Sequence, residues 1–210
     1  ITDLTTTELF YPDAPAIQDA TIPPLKPGAG GRGQLFVHIH TDEGVEGLGL
    51  TSAVPGARQV VENVFKELLI GKDPFNIEQL WNDMFWAVRG YGRKGVAFLA
   101  LSAVDIALWD IKGKRLDVPI YDLMGGKTRD RVRCYMHVGG TTKDDLVASA
   151  IAAAAEGFTA VRFTPFSKDY YLHKSYTEWA DEAVERVGAV KEAVGSDVDI
   201  CVEIHQQITP

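Results

Sequence analysis

The chain is predicted to join an α+β domain to the opening strands and helices of a parallel α/β sheet, and three features of the sequence carry that expectation. Apolar and polar positions alternate in Leu4 to Phe10 and in Gln34 to His40, the mark of half-buried strands. Apolar spacings of three and four then dominate from Val60 to Leu116, as on helices packed against a sheet. From Arg131 onward strand-like and helix-like segments alternate as βαβαβ, which calls for parallel strands joined by helical crossovers.

In chain order, Leu4 to Phe10 is the first strand, and Gln34 to His40 pairs with Val45 to Thr51 in a hairpin turned by Asp42-Glu43-Gly44. Between them lies the stretch from Pro12 to Gly33, with Pro23, Pro24, Pro27, Gly28, Gly30 and Gly31. So many breakers exclude a regular element, and a connection of about 20 residues inside a compact domain is either functional or disordered. A lid over a site and a plain disordered connection both fit it. After Pro55, Val60, Val61, Val64, Phe65, Leu68 and Leu69 form one helical face that Gly71 ends. Asp73-Pro74-Phe75-Asn76 introduces a second helix, with Asn76 as its expected N-cap ahead of Ile77, Leu80, Trp81, Met84 and Phe85. The run from Gly95 to about Leu116 is apolar enough for a helix buried among neighbours.

The second half reads as strand Val132 to Val138, helix Lys143 to Glu156, strand Thr159 to Phe163, helix Tyr176 to Val194 and strand Asp199 to His205. Periodicity does not choose between a doubly wound sheet and a closed barrel.

Composition narrows the function classes. With 210 residues and 46% hydrophobic content the chain can bury a core. No apolar run approaches the roughly 18 to 20 residues of a membrane span, and the start lacks a basic region followed by an apolar stretch. A formal net charge of -8 argues against a general nucleic-acid binder, which needs clustered Lys and Arg. Cys134 and Cys201 lie in strand-like apolar runs and read as structural thiols, which fits a reducing cytoplasm better than a disulfide framework.

The chemistry concentrates at strand ends in the second half. In a parallel strand covered on both faces a carboxylate lacks solvation, so Glu203, in Asp199-Ile200-Cys201-Val202-Glu203-Ile204-His205, lies at a strand end or binds something. Glu203 and His205 are two apart and share a face at the carboxyl end of the strand, where barrels and open sheets place their sites. Such a pair suits metal ligation by the carboxylate and proton transfer by the imidazole, or else a solvated strand end. Arg162 ends the preceding strand and wants a carboxylate partner, in a substrate or in Glu203. His137 ends the strand before that and can face the same mouth. Tyr170, Tyr171 and His173 follow the second strand, where a phenol can serve as acid or base or simply pack. In the first half His38 and His40 share a strand face, but nothing is spaced to complete a zinc site, so a polar face is the better reading. The glycines between Gly28 and Gly33 do not sit between a strand and a helix, which discards a dinucleotide loop.

The segment Ala103-Val104-Asp105-Ile106-Ala107-Leu108-Trp109-Asp110-Ile111-Lys112-Gly113-Lys114, followed by Pro119-Ile120-Tyr121 and Leu123-Met124-Gly125-Gly126, resembles the end of the capping domain in the mandelate racemase and muconate lactonizing enzymes of the enolase superfamily. The resemblance extends to the hairpin with Gly44 and Gly47-Leu48-Gly49 and on into the second half. It implies an α+β N-terminal capping domain over 1–126, with the lid loop, followed over 127–210 by the start of a modified (β/α)8 TIM-like barrel. It also implies proton removal beside a carboxylate, with Mg2+ held by three barrel carboxylates, of which Glu203 matches the first. Arg162 and Thr164 stand where racemases and lactonizing enzymes carry Lys-x-Lys, so that lysine base is missing. A carboxylate, one residue and then His205 resembles the sugar-acid dehydratases of mannonate, galactonate or gluconate. There the histidine protonates the departing hydroxyl, and the base lies beyond Pro210 or on Tyr170 or Tyr171.

The expected function is thus a Mg2+-dependent hydro-lyase acting on a small sugar acid, cytoplasmic, without nucleic acid or membrane partners, in an even-numbered homo-oligomer. The alternatives are a racemase, epimerase or cycloisomerase of the same superfamily, or a non-catalytic subunit or inactive fragment, since a chain stopping at Pro210 holds three of the eight expected strands.

Overall fold

A computed structural model of the protein describes residues 1–10, 33–90, 92–166 and 174–204. The described residues fall into two compact units, 1–10 with 33–128 and 129–204. The proposed lid up to position 32, Tyr170, Tyr171, His173 and His205 lie outside the described residues.

In the first unit β1 (Asp3–Phe10), β2 (Gly33–His40) and β3 (Glu46–Ser52) form an antiparallel sheet in the order β1-β2-β3. Alternation sends Leu4, Leu35, Val37 and Ile39 into the core with no exposure. On β3 the inward positions are Gly47 and Gly49, and the reason is the long helix α4 (Val96–Leu116) lying against them. A Cβ on Gly49 would stand 1.8 Å from the Ala103 carbonyl oxygen, and one on Gly47 2.2 Å from that of Ala107. Small residues on both partners therefore let helix backbone and strand backbone meet directly. α4 is buried along Ala97, Ala100, Leu101, Ala103, Val104, Ala107, Leu108 and Ile111, so its apolar character runs most of the way round.

Between sheet and α4 the chain forms α1 (Ala57–Val60), a π-helical turn (Val61–Phe65) and α2 (Lys66–Leu69), which bury Ala57, Val61, Phe65 and Leu69. Helix α3 (Ile77–Val88) buries Ile77, Leu80, Met84 and Val88. Asn76 stands at its N-cap position but makes no side-chain cap, and the turn before it is closed by Asp73, whose carboxylate accepts the Phe75 N–H at 2.9 Å. α4 ends at Asp117, a left-handed residue with φ 54°, and the Val118 N–H closes back on the Gly113 carbonyl at 3.0 Å. Pro119 then opens the short α5 (Ile120–Leu123), and Ile120 packs over Gly113, where a Cβ would meet its Cδ1 at 2.6 Å.

The second unit holds three parallel strands, β4 (Met136–His137), β5 (Ala160–Phe163) and β6 (Asp199–Val202), in the order β4-β5-β6. The crossovers are α6 (Lys143–Ala155) and α7 (Tyr176–Val194), each opened by a reciprocal capping box, Thr142 with Asp145 and Ser175 with Glu178. Val138, Leu146, Ala150, Ala153, Val161, Phe163, Val190 and Val198 make the core between sheet and helices.

Two expectations need correction. The strand expected from Val132 is ordered as ladder only at Met136–His137, and Val132 and Tyr135 are exposed. Ahead of Met136 it is a side chain that ties the chain down: Arg133 donates to Thr159 Oγ1 at 2.9 Å, to the Thr159 carbonyl at 2.6 Å and to Asp199 at 2.7 Å. Cys134 and Cys201 are both exposed rather than buried, because Cys134 precedes the ladder and Cys201 points away from the helices.

Candidate active site

Strand alternation divides the second sheet into two chemically different faces. Val161 and Phe163 of β5 enter the apolar core beneath the helices, so Arg162 between them points to the opposite face. The parallel register aligns His137 with Arg162 and Arg162 with Cys201, which places these three side chains in one row. Pairing continues one step past β6, where the Glu203 N–H donates to the Phe163 carbonyl at 2.9 Å. Glu203, two residues after Cys201, therefore joins the same face at the carboxyl ends of the strands.

Arg162 is the hub of what gathers there. Its Nη2 donates to Glu203 Oε2 in a charge-assisted contact, and its Nη1 lies 3.2 Å from His137 Nδ1. A guanidinium has no acceptor, so Nδ1 of His137 takes the hydrogen bond and the imidazole proton rests on Nε2. Tyr135, two residues before His137, lies with its ring centroid 5.9 Å from the guanidinium carbon, within reach of a cation–π attraction. The side chains of Arg162 and Glu203 keep 21% and 27% of their surface exposed, so the ion pair is shielded enough to be strong yet open to a small ligand. Two residues beyond Arg162, the Thr164 hydroxyl oxygen is buried and has no hydrogen-bond partner among the described residues.

The structure thus brings together Glu203, Arg162 and His137 from the sequence-predicted set. Tyr135 was missed, although its two-residue offset from His137 is a readable signal; Thr164 was read only as a missing lysine. As a magnesium ligand Glu203 offers the hard oxygen that the ion prefers, and its two oxygens allow an arginine contact beside a metal contact. No group of three His, Cys, Asp or Glu residues converges on a metal position among the described residues. Glu203 fits such an ion as one ligand, and the described residues do not complete a set.

On the first unit His38 and His40 do share a face, their rings parallel with centroids 6.4 Å apart. Glu46 on β3 reaches both, at 2.8 Å from His38 Nδ1 and 3.4 Å from His40 Nδ1. The hydrogen bond from His38 holds the Glu46 carboxyl below its ordinary range. This is a polar strand face with its own counter-charge, built on a cross-strand neighbour.

Known proteins resemble this chain in sequence and in fold. Residues 25–125 match the model of the mandelate racemase / muconate lactonizing enzyme N-terminal domain. A D-galactonate dehydratase of Ralstonia pickettii is 37% identical over 179 residues, 83% of this chain and 46% of that protein. Over residues 25–125 the chain thus resembles the N-terminal domain of the mandelate racemase and muconate lactonizing enzyme family of the enolase superfamily. A solved enolase superfamily member from Salmonella Typhimurium is 30% identical with a TM-score of 0.73, covering 82% of this chain and 50% of that one. The 3,6-anhydro-D-galactonate cycloisomerase of Zobellia galactanivorans, 23% identical, shares the fold at a TM-score of 0.76 over 99% of this chain and 52% of its own. The chain spans about half the length of the curated relatives it matches. The matched residues lie in the first unit from β2 to α5, where the signature helix α4 carries packing, whereas Arg162, His137 and Glu203 belong to the second.

Proposed function

We propose that the protein to which this chain belongs dehydrates a sugar acid, an aldonate such as galactonate, gluconate or mannonate, to a 2-keto-3-deoxy acid. The observation that carries the reading is the Arg162–Glu203 pair at the carboxyl ends of two parallel strands, flanked by His137. The kinship with proteins named D-galactonate dehydratase supports it.

In this reaction the C2 proton leaves, the C3 hydroxyl departs as water on receiving a proton, and the resulting enol becomes the ketone. Arg162 holds Glu203 in place and presents a fixed positive charge to the substrate carboxylate, while His137, accepting from Arg162, keeps an N–H on Nε2 to offer a substrate oxygen. His205 is the general acid for the departing hydroxyl, and Tyr170 or Tyr171, or a residue of the strands that complete a (β/α)8 barrel, is the base. Bound Mg2+, with Glu203 among its ligands, would stabilise the negative charge that develops beside the carboxylate. Capping over 1–126 and barrel from 127 onward, an even-numbered homo-oligomer and a cytoplasmic setting complete the proposal. Among the described residues no helix is long and apolar enough to cross a membrane.

The complete protein, incubated with Mg2+ and a panel of aldonates, is expected to release 2-keto-3-deoxy acid from at least one. Exchange of the C2 proton with solvent deuterium without loss of water would overturn the dehydratase reading in favour of an epimerase.

A further inference from the structure

We infer that Thr164 is a specificity-determining residue whose hydroxyl takes a hydroxyl group of the polyhydroxy acid bound by Arg162 and Glu203; the inference rests on the sugar-acid reading above. Phe163 pairs with Val202, and the ladder bond from Glu203 N–H to the Phe163 carbonyl extends that register by one step. Thr164 thereby falls beside Glu203, and by alternation it shares the face of Arg162. Its hydroxyl oxygen is shut off from water without a hydrogen-bond partner among the described residues. Buried hydroxyls are nearly always satisfied, and the exceptions call for a functional account. A valine of the same shape would fill this position without leaving a donor and an acceptor unused, so packing alone does not account for threonine.

The residue as a whole is half-buried, so part of it meets the surface although the oxygen does not. A staggered rotation about χ1 carries the hydroxyl into the place of the methyl group or of the Cβ hydrogen with no movement of the backbone, so a bound ligand can select the rotamer that meets it. A polyhydroxy carboxylate supplies what the site lacks: a carboxylate for the guanidinium, and along its chain hydroxyls that both donate and accept. In such a site the cost of the unpaired hydroxyl is relieved only when the ligand is bound, which favours ligands carrying a hydroxyl at that place over those lacking one.

The test uses the complete protein with Mg2+, its Thr164→Val and Thr164→Ser variants, and D-galactonate, D-gluconate and D-mannonate as probes, read by thermal melting and by kinetics. Without ligand, T164V is expected to melt at the wild-type temperature or up to about 2 °C above it, since it removes an unsatisfied group. With the aldonate that stabilises the wild type, T164V is expected to lose most of the ligand-induced shift and about tenfold in kcat/KM, with T164S restoring both. A lower melting temperature for ligand-free T164V would show that the hydroxyl has a structural or water partner and overturn the inference. So would a T164V variant that the aldonate stabilises and reacts with as it does the wild type. A wild type that no aldonate stabilises would overturn the sugar-acid reading itself, and the role of Thr164 with it.

Discussion

The two sheets of this molecule use the same alternation to opposite ends. In the first unit the inward face of β1, β2 and β3 is sealed, with Leu4, Leu35, Val37 and Ile39 fully buried and two glycines admitting the backbone of α4. In the second unit one face is sealed by α6 and α7, while the other carries Tyr135, His137, Arg162, Thr164, Cys201 and Glu203. The family signature lies on the first and the proposed reactive groups lie on the second. A recognisable motif therefore need not mark the reactive face: α4 is pressed against strand backbone, where there is room for few side chains.

Substitutions on the two sheets should separate these roles. The largest effect is expected at Glu203: Glu203→Gln keeps an acceptor for Arg162 but removes the charge, and kcat of the complete protein should fall about 10³-fold while its melting temperature moves little. Retained activity in that variant would show that the polar face is not the reactive one. Next comes Gly49→Ala, whose new Cβ meets a backbone carbonyl that cannot step aside. Denaturant unfolding should show a loss of about 3 kcal/mol, with kcat of the folded fraction unchanged. A stable alanine variant would mean that α4 shifts freely and that the close contact is not what shapes this segment.

The smallest effect is expected at Asp105, within the signature itself. Half-burial and, secondarily, the nearby Glu78 raise its carboxyl above the ordinary value. A raised acid pKa in the fold means that ionisation disfavours the folded state. The penalty is present above the folded pKa and relieved as pH falls through it. Asp105→Asn should therefore raise the melting temperature by about 1 °C at pH 7, a modest figure because solvent still screens the group. The gain should shrink as the solution is made acidic, and a gain that is constant with pH would assign the effect to something other than charge.

Much of the element order is legible in the residues. The spacing that predicts a helix over Tyr176 to Val194 coincides with the ends of α7, and the expected hairpin of β2 and β3 is present within a residue or two. Legibility fails where an interaction is not periodic. Val132 to Val138 has strand-like residues, yet its first part is anchored by the Arg133 side chain rather than by a ladder. Asn76 is a good capping residue in the right place, but its side chain makes no cap. Gly47 and Gly49 enter the sequence reading only as part of the family resemblance, and the helix above them explains why nothing larger fits.

By itself the sequence determined the alternation of elements, the family resemblance and the residue types at the strand ends, because periodicity and a contiguous signature are local properties. Tertiary structure alone decided that Arg162 joins Glu203, 41 residues on, and His137, 25 residues back, that Tyr135 completes the cluster, and that the Thr164 hydroxyl stands unpaired. Those pairings follow from the register of parallel strands, which depends on how each crossover helix packs back onto the sheet and is written in no short stretch of chain.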